Sequence, residues 1–130
     1  MNYGDKMRNE LIEKWLQVAL ENGKNVWVIG DVHGFNMTLR SLVEKINPQE
    51  GDYIVLLGDL IDRGPNSYDV VQFAKTSDNI VCVKGNHEKM MIETLSLQGL
   101  ESPGIDLATW LYNGGLATAT SYINAYTDKT

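Results

Sequence analysis

Three short glycine-bearing segments hold most of the residues able to do chemistry: Gly30-Asp31-Val32-His33-Gly34, Gly58-Asp59-Leu60-Ile61-Asp62-Arg63-Gly64 and Gly85-Asn86-His87-Glu88. Two carboxylates, an imidazole and an amide oxygen gathered in one crevice would make a ligand set for divalent first-row metals. Asp31, His33 and Asp59 could chelate one ion, while Asp59 bridging to Asn86 could hold a second a few ångströms away. Nitrogen and hard oxygen donors without thiolate suit manganese, iron or zinc better than copper or an iron–sulfur cluster. Two such ions can activate a bridging water and clamp the oxygens of an in-line displacement at phosphorus. Asp62 beside His87 would then resemble an oriented general acid, and Arg63 offers a bidentate fork for phosphate oxygens.

Segments this far apart converge only if the fold brings them together, and the apolar pattern says how. Val26 to Ile29, Tyr53 to Leu57 and Ile80 to Val83 are short, nearly unbroken apolar runs, the pattern of strands buried on both faces. Each runs directly into one of the three polar segments. Between them lie helical spacings: Leu39, Leu42, Val43 and Ile46, stopped by Asn47-Pro48, then Val70, Val71 and Ala74 in a helix opened by Pro65. A further helix is expected from near Glu88, turning Met91 and Leu95 inward and ending by Gly99. This alternation predicts an α/β fold, a βαβαβ unit with parallel strands and right-handed crossovers. In an open α/β sheet, loops beyond the carboxyl ends of neighbouring strands face one crevice, where ligands bind.

The flanks carry less information. Leu11, Ile12, Trp15, Leu16, Ala19 and Leu20 predict an amphipathic helix closed by Asn22-Gly23. Leu107 to Tyr112 reads as a short helix, Gly114-Gly115 as a loop, and Ala119, Tyr122, Ile123 and Tyr126 as one last helix face. Trp15 and Trp27 are expected in or near the core, Met90 and Met91 in helix packing, and Cys82 as an inert core thiol. With 130 residues, 43% of them hydrophobic, the chain suffices for one cored domain, spanning 1–130. Eleven Lys and Arg against seventeen Asp and Glu give a net charge of −6, which offers no bulk positive field for nucleic acid or an anionic membrane. The single cysteine, with no apolar leader or run of roughly 20 residues that could span a bilayer, points to a cytoplasmic protein.

The three motifs, in this order and roughly 27 residues apart, resemble the N-terminal half of the phosphoprotein phosphatase family of metallophosphoesterases. That family includes serine/threonine protein phosphatases and symmetrical dinucleoside tetraphosphatases. The resemblance is nearest to its compact bacterial and phage members, because Met90-Met91-Ile92 and Trp110-Leu111 with Asn113-Gly114-Gly115 match segments found there. It implies half of a four-layer sandwich, with Asp31, His33 and Asp59 on the first metal, Asp59 as the bridge and Asn86 on the second. It further implies His87 as general acid, Asp62 as its orienting carboxylate, and Arg63 with Asn86 as phosphate contacts. Glu88 is expected to begin the following helix. Two divalent ions, Mn²⁺ foremost with Fe or Zn as alternatives, would direct hydroxide at phosphorus in a phosphoprotein or a small phosphoester.

One departure stands out. The second metal in this family takes two further histidines from the C-terminal half, and this sequence contains only His33 and His87. The expectation is therefore a truncated N-terminal half holding at most one ion tightly, completed by the missing half or by a second copy. A phosphate-binding regulatory fragment without activity is the remaining alternative.

Overall fold

The structure is a computed structural model that describes residues 9–95 and 107–127. Strands β1 (Val26–Ile29), β2 (Tyr53–Leu56) and β3 (Ile80–Cys82) form one parallel sheet in the order β1-β2-β3. Val26 pairs with Tyr53 and Ile29 with Leu56, while Ile54 pairs with Ile80 and Leu56 with Cys82. The helices are α1 (Glu10–Glu21), α2 (Asn36–Ile46), α3 (Ser67–Thr76), α4 (Asn86–Leu95), α5 (Leu107–Trp110) and α6 (Leu116–Thr127). The segment Leu111–Gly115, kinked at Gly114 (φ 111°), joins the last two. The α/β class and the parallel βαβαβ unit hold, with strands ending at Leu56 and Cys82, one residue earlier than the apolar runs suggest.

Strand pleating sends alternate residues to opposite faces. Trp27, Ile29, Ile54, Leu56 and Ile80 meet Leu39 and Val43 of α2, Val70, Val71, Phe73 and Ala74 of α3, and Val32, Leu60 and Ile61 from the loops. Ile54, Leu56 and Val70 are fully enclosed there. On the opposite face only β2 is well covered. Val55 is buried, but Val28 is 58% exposed, and Leu57 and Val83, which extend the same row, are 52% and 53% exposed. Burial on both faces therefore fails for β1 and for the edge of β3, since Ile12 and Leu16 of α1 line only the depression beside Val55, Val81 and Val83.

Several amphipathic faces turn differently from their spacing. On α1 only Ala19 is buried, while Leu11, Trp15 and Leu20 are exposed and Ile12 and Leu16 turn toward Val55, Val81 and Val83. Leu42 sits at the rim of α2 and Leu95 is exposed on α4. α3 starts at Ser67 behind Asn66, past Pro65, and α4 starts at Asn86; Gly99 lies outside the described residues. On α6 Thr118 is enclosed, Ala119 and Tyr122 of the expected face are half-buried, and Ile123 and Tyr126 are mostly exposed, the Tyr126 ring still meeting that of Tyr68. Cys82 is exposed at the open edge of β3 rather than sealed in the core. Desolvation of the sulfur atom itself, and then the Glu88 carboxylate, push its thiol pKa up.

Helix ends follow their local chemistry. Asn9 caps α1 by accepting from the Ile12 N–H at 3.0 Å. Asn47 takes the left-handed conformation (φ 49°) that closes α2 before Pro48. The turn into β2 is fastened by Asp52, which is buried and accepts from Asn25 N–H and Gln49 N–H, each at 2.8 Å. These two donors, together with the charge of Lys24, outweigh desolvation and hold its carboxyl below the usual aspartate range. A folded-state pKa below the unfolded one gives stability that is complete above about pH 3.9 and is lost as pH falls through the lower folded value. Asp52→Asn should lower the urea midpoint at neutral pH, with the deficit shrinking in acid. A deficit independent of pH would assign the role to packing rather than charge.

Candidate active site

All three strand-end loops lie along one edge of the sheet and touch through their backbones. His33 N–H donates to Asp59 O at 2.8 Å and Gly34 N–H to Leu60 O at 2.7 Å, locking the first loop to the second. Gly64 N–H donates back to His33 O at 2.9 Å. The second and third loops approach so closely that a Cβ on Gly58 would strike the Gly85 backbone, and one on Gly85 would lie 2.5 Å from Asp59 N. Side chains are excluded from these crossings, which explains the glycines.

Glu88 binds this arrangement together. It occupies the first turn of α4 as the sequence suggests, but its carboxylate points back into the loops. Oε1 accepts from Asp59 N–H at 2.6 Å and Gly85 N–H at 2.9 Å, and Oε2 accepts from Leu60 N–H at 2.8 Å and Ile61 N–H at 3.4 Å. Both oxygens are committed to backbone, so Glu88 fixes the loop that carries Asp59 instead of facing a metal. An acid just inside a helix that follows a glycine loop was the signal available for this role.

Among the described residues, Asp31, His33 and Asp59 offer ligand atoms all within 4.8 Å of one another. The His33 Nδ1 lies 2.8 Å from Ile61 O, a contact that requires Nδ1–H as donor. That tautomer leaves the Nε2 lone pair free, 3.9 Å from Asp31 Oδ1. An oriented imidazole and two carboxylates fit a divalent first-row cation. Asp59 Oδ1 also accepts from His87 N–H at 2.9 Å, which ties the third loop to the cluster. Asn86 is the first residue of α4, exposed, next to His87.

His87 is buried, and its ring stands edge-on to that of His33, with centroids 4.8 Å apart. Its Nδ1 lies 2.7 Å from Asp62 Oδ2. Asp62 is wholly enclosed and also takes hydrogen bonds from Trp110 Nε1–H (3.0 Å, on Oδ2) and the Thr118 hydroxyl (2.6 Å, on Oδ1). Arg63, next in sequence, is exposed. The geometry thus brings Asp31, His33, Asp59, Asp62 and His87 into one connected group, with Asn86 and Arg63 adjoining it. Glu88, Trp110 and Thr118 are the participants that spacing alone did not reveal as such. Five of the six described non-glycine residues with positive φ are Asp31, His33, Asp59, Asp62 and Arg63. Backbone strain is therefore concentrated at this edge.

A sheet-edge cluster of this kind belongs to the metallophosphoesterase class, and comparison with known proteins gives the same answer. The profile of the calcineurin-like phosphoesterase family matches residues 24–128, and the chain belongs to that family. It is 36% identical over 105 residues to serine/threonine-protein phosphatase 1 of Salmonella typhimurium and 32% identical over 104 residues to serine/threonine-protein phosphatase 2 of Escherichia coli. These alignments cover 79% and 78% of this chain and 44% of each relative, so the chain spans less than half their length. A symmetrical bis(5'-nucleosyl)-tetraphosphatase of Coxiella burnetii is 36% identical over 74 residues, covering 56% of this chain and 25% of that protein. Membership in the family implies divalent metal ions. Among the described residues, no helix is long and apolar enough to cross a membrane.

Glu88→Gln would place an amide NH₂ against backbone N–H groups that now point at a carboxylate oxygen. Such outer-sphere changes typically cost about ten- to a hundredfold in metal affinity. A loss in that range is expected for Mn²⁺ by titration calorimetry, with helix content by circular dichroism retained. Wild-type affinity would show that the loops hold without the clamp.

Proposed function

We propose that this chain supplies the metal-holding and proton-donating half of a phosphoester hydrolase acting on phosphoserine or phosphothreonine in proteins. The observation that carries the reading is the Asp62–His87 pair at 2.7 Å, set edge-on to the His33 of a three-ligand cluster. In this reading Asp31, His33 and Asp59 hold the first ion, and Asp59 with Asn86 the second. The ions, Mn²⁺ foremost, would supply an activated water and neutralise phosphate oxygens. Arg63, with Asn86, binds and orients the phosphoryl group. His87 keeps one nitrogen on Asp62 and uses Nε2 to give a proton to the departing ester oxygen. The P–O ester bond breaks as the water oxygen bonds to phosphorus. The lone Cys82 favours a reducing, cytoplasmic setting.

The phosphoprotein reading is favoured because the similarity to protein phosphatases extends over 105 residues, against 74 for the tetraphosphatase. Hydrolysis of dinucleoside tetraphosphates is the second reading, supported by the equal identity over that shorter stretch. A panel of phosphopeptide, aryl phosphate and dinucleoside tetraphosphate, offered to the active protein that carries this chain, separates the two.

His87→Asn should lower kcat about a hundredfold or more with metal content retained, because it removes a proton donor and no ligand. Asp59→Asn should instead strip metal, since a neutral amide is a poor bridge between two dications; equal metal content after dialysis would count against the bridge.

With His33 and His87 the only imidazoles in the sequence, residues 1–130 alone should retain at most one divalent ion per chain through dialysis. They should also hydrolyse aryl phosphates poorly until further histidines are supplied by more chain or by a partner. Two retained ions with enzyme-like turnover would mean that a different ligand set operates.

A further inference from the structure

The Asp62 carboxylate is fully enclosed, and only one of its three side-chain hydrogen bonds goes to His87. The other two come from the Trp110–Thr118 segment, far away in sequence. Thr118, itself 1% exposed, donates its hydroxyl to Asp62 Oδ1 at 2.6 Å and accepts the Asp62 N–H at 2.8 Å, closing a ring around that residue. Ser67, also enclosed, stands 3.1 Å from the same hydroxyl and accepts from the same N–H at 3.2 Å. Trp110, 3% exposed, donates Nε1–H to Oδ2, the oxygen that faces His87. Between them, Gly114 accepts the Arg63 N–H at 3.0 Å, and a Cβ there would sit 2.7 Å from the Arg63 Cγ. A Cβ on Gly115 would enter the Trp110 ring. The segment Trp110–Thr118, kinked at Gly114 (φ 111°), thus bonds to both Asp62 and Arg63.

We infer that Trp110 and Thr118 are positioning residues for proton donation: they fix the Asp62 carboxylate so that it holds His87 by its Nδ1–H in the orientation needed for Nε2–H to protonate the leaving oxygen. The inference rests on the general-acid reading of His87 above. A bidentate carboxylate with one oxygen left without a donor can rotate, and the Nδ1–H···Oδ2 bond then loses its fixed direction. The consequence falls on substrates whose leaving group needs a proton, and little on those whose leaving group departs as a stable anion.

Thr118→Val keeps the shape and removes the hydroxyl, Thr118→Ser restores the hydroxyl, and Trp110→Phe removes the indole donor while keeping a ring. In the active, metal-loaded protein, Thr118→Val should lower kcat for phenyl phosphate about tenfold or more and leave 2,4-dinitrophenyl phosphate near the wild-type rate. KM and metal content should be unchanged, and Thr118→Ser should recover the phenyl phosphate rate. Equal losses on both substrates, or no loss on either, would overturn the inference. If Thr118→Val does not fold, Trp110→Phe carries the same comparison.

A His87→Asn variant that loses equally on both esters would sink the general-acid reading instead. The brace is then decided in the 130-residue chain by ¹⁵N-resolved spectra of the imidazole N–H groups. The His87 Nδ1–H should be slow to exchange with water in the wild type and fast in Thr118→Val. An unchanged exchange rate would overturn the brace.

Discussion

A carboxylate with no solvent exposure is the constraint around which this molecule is arranged. Removing Asp62 from water costs several kcal/mol unless donors replace its hydration. The replacements come from three separate elements: His87 on α4, Trp110 at the end of α5 and Thr118 on α6. Those helices cannot move off the sheet edge without orphaning a charge, so the second loop, the third loop and the C-terminal helices are fixed relative to one another by one side chain. A well-packed apolar residue at this position would hold the helices as well and avoid the desolvation. What an apolar residue could not do is orient an imidazole, and that difference ties the buried charge to chemistry rather than to stability.

Glu88 solves the complementary problem of holding backbone rather than side chains. Loops at strand ends leave N–H groups without sheet partners, and here four of them converge on one carboxylate. The same amides belong to residues adjoining Asp59, whose own backbone is left-handed at φ 52°. Left-handed conformations at non-glycine residues cost about 1–3 kcal/mol each and survive only where surrounding contacts over-determine them. Glu88 and the backbone bonds from His33 N–H to Asp59 O, Gly34 N–H to Leu60 O and Gly64 N–H to His33 O supply that over-determination.

What could be read from the sequence follows from the range of the interactions involved. Strands, loops and their common edge were legible because buried parallel strands print as continuous apolar runs, and glycines print where backbones must cross. The pairing of Asp62 with His87 was also within reach, since both lie in loops that the topology brings together. Trp110 and Thr118 were not legible as partners of Asp62: they stand 48 and 56 residues away in segments whose own periodicity is weak. The faces of α1 and α6 were only partly legible for a related reason. Spacing identifies an apolar stripe, but the neighbouring layer decides which part of it is buried; on α6 the enclosed residue is a threonine, and on α1 Leu11, Trp15 and Leu20 remain in solvent.

The uneven covering of the sheet bears on how the site is held. One face carries a closed core, while the other leaves Val28, Leu57 and Val83 more than half exposed around a buried Val55. Covering such a row is worth about 25 cal/mol for each Å² removed from water, a gain that would fall directly on β1, β2 and β3. All three strand-end loops begin at the carboxyl ends of those strands, and Leu57 and Val83 are the residues through which the ladder continues into them, by bonds to Ile29 O and Leu56 O. Any layer that packs on this face would therefore stiffen the stems of Asp31, Asp59 and His87 along with the sheet. The apolar face and the polar edge are mechanically one unit, and the stability of the first sets how firmly the side chains on the second are held on their strained backbone.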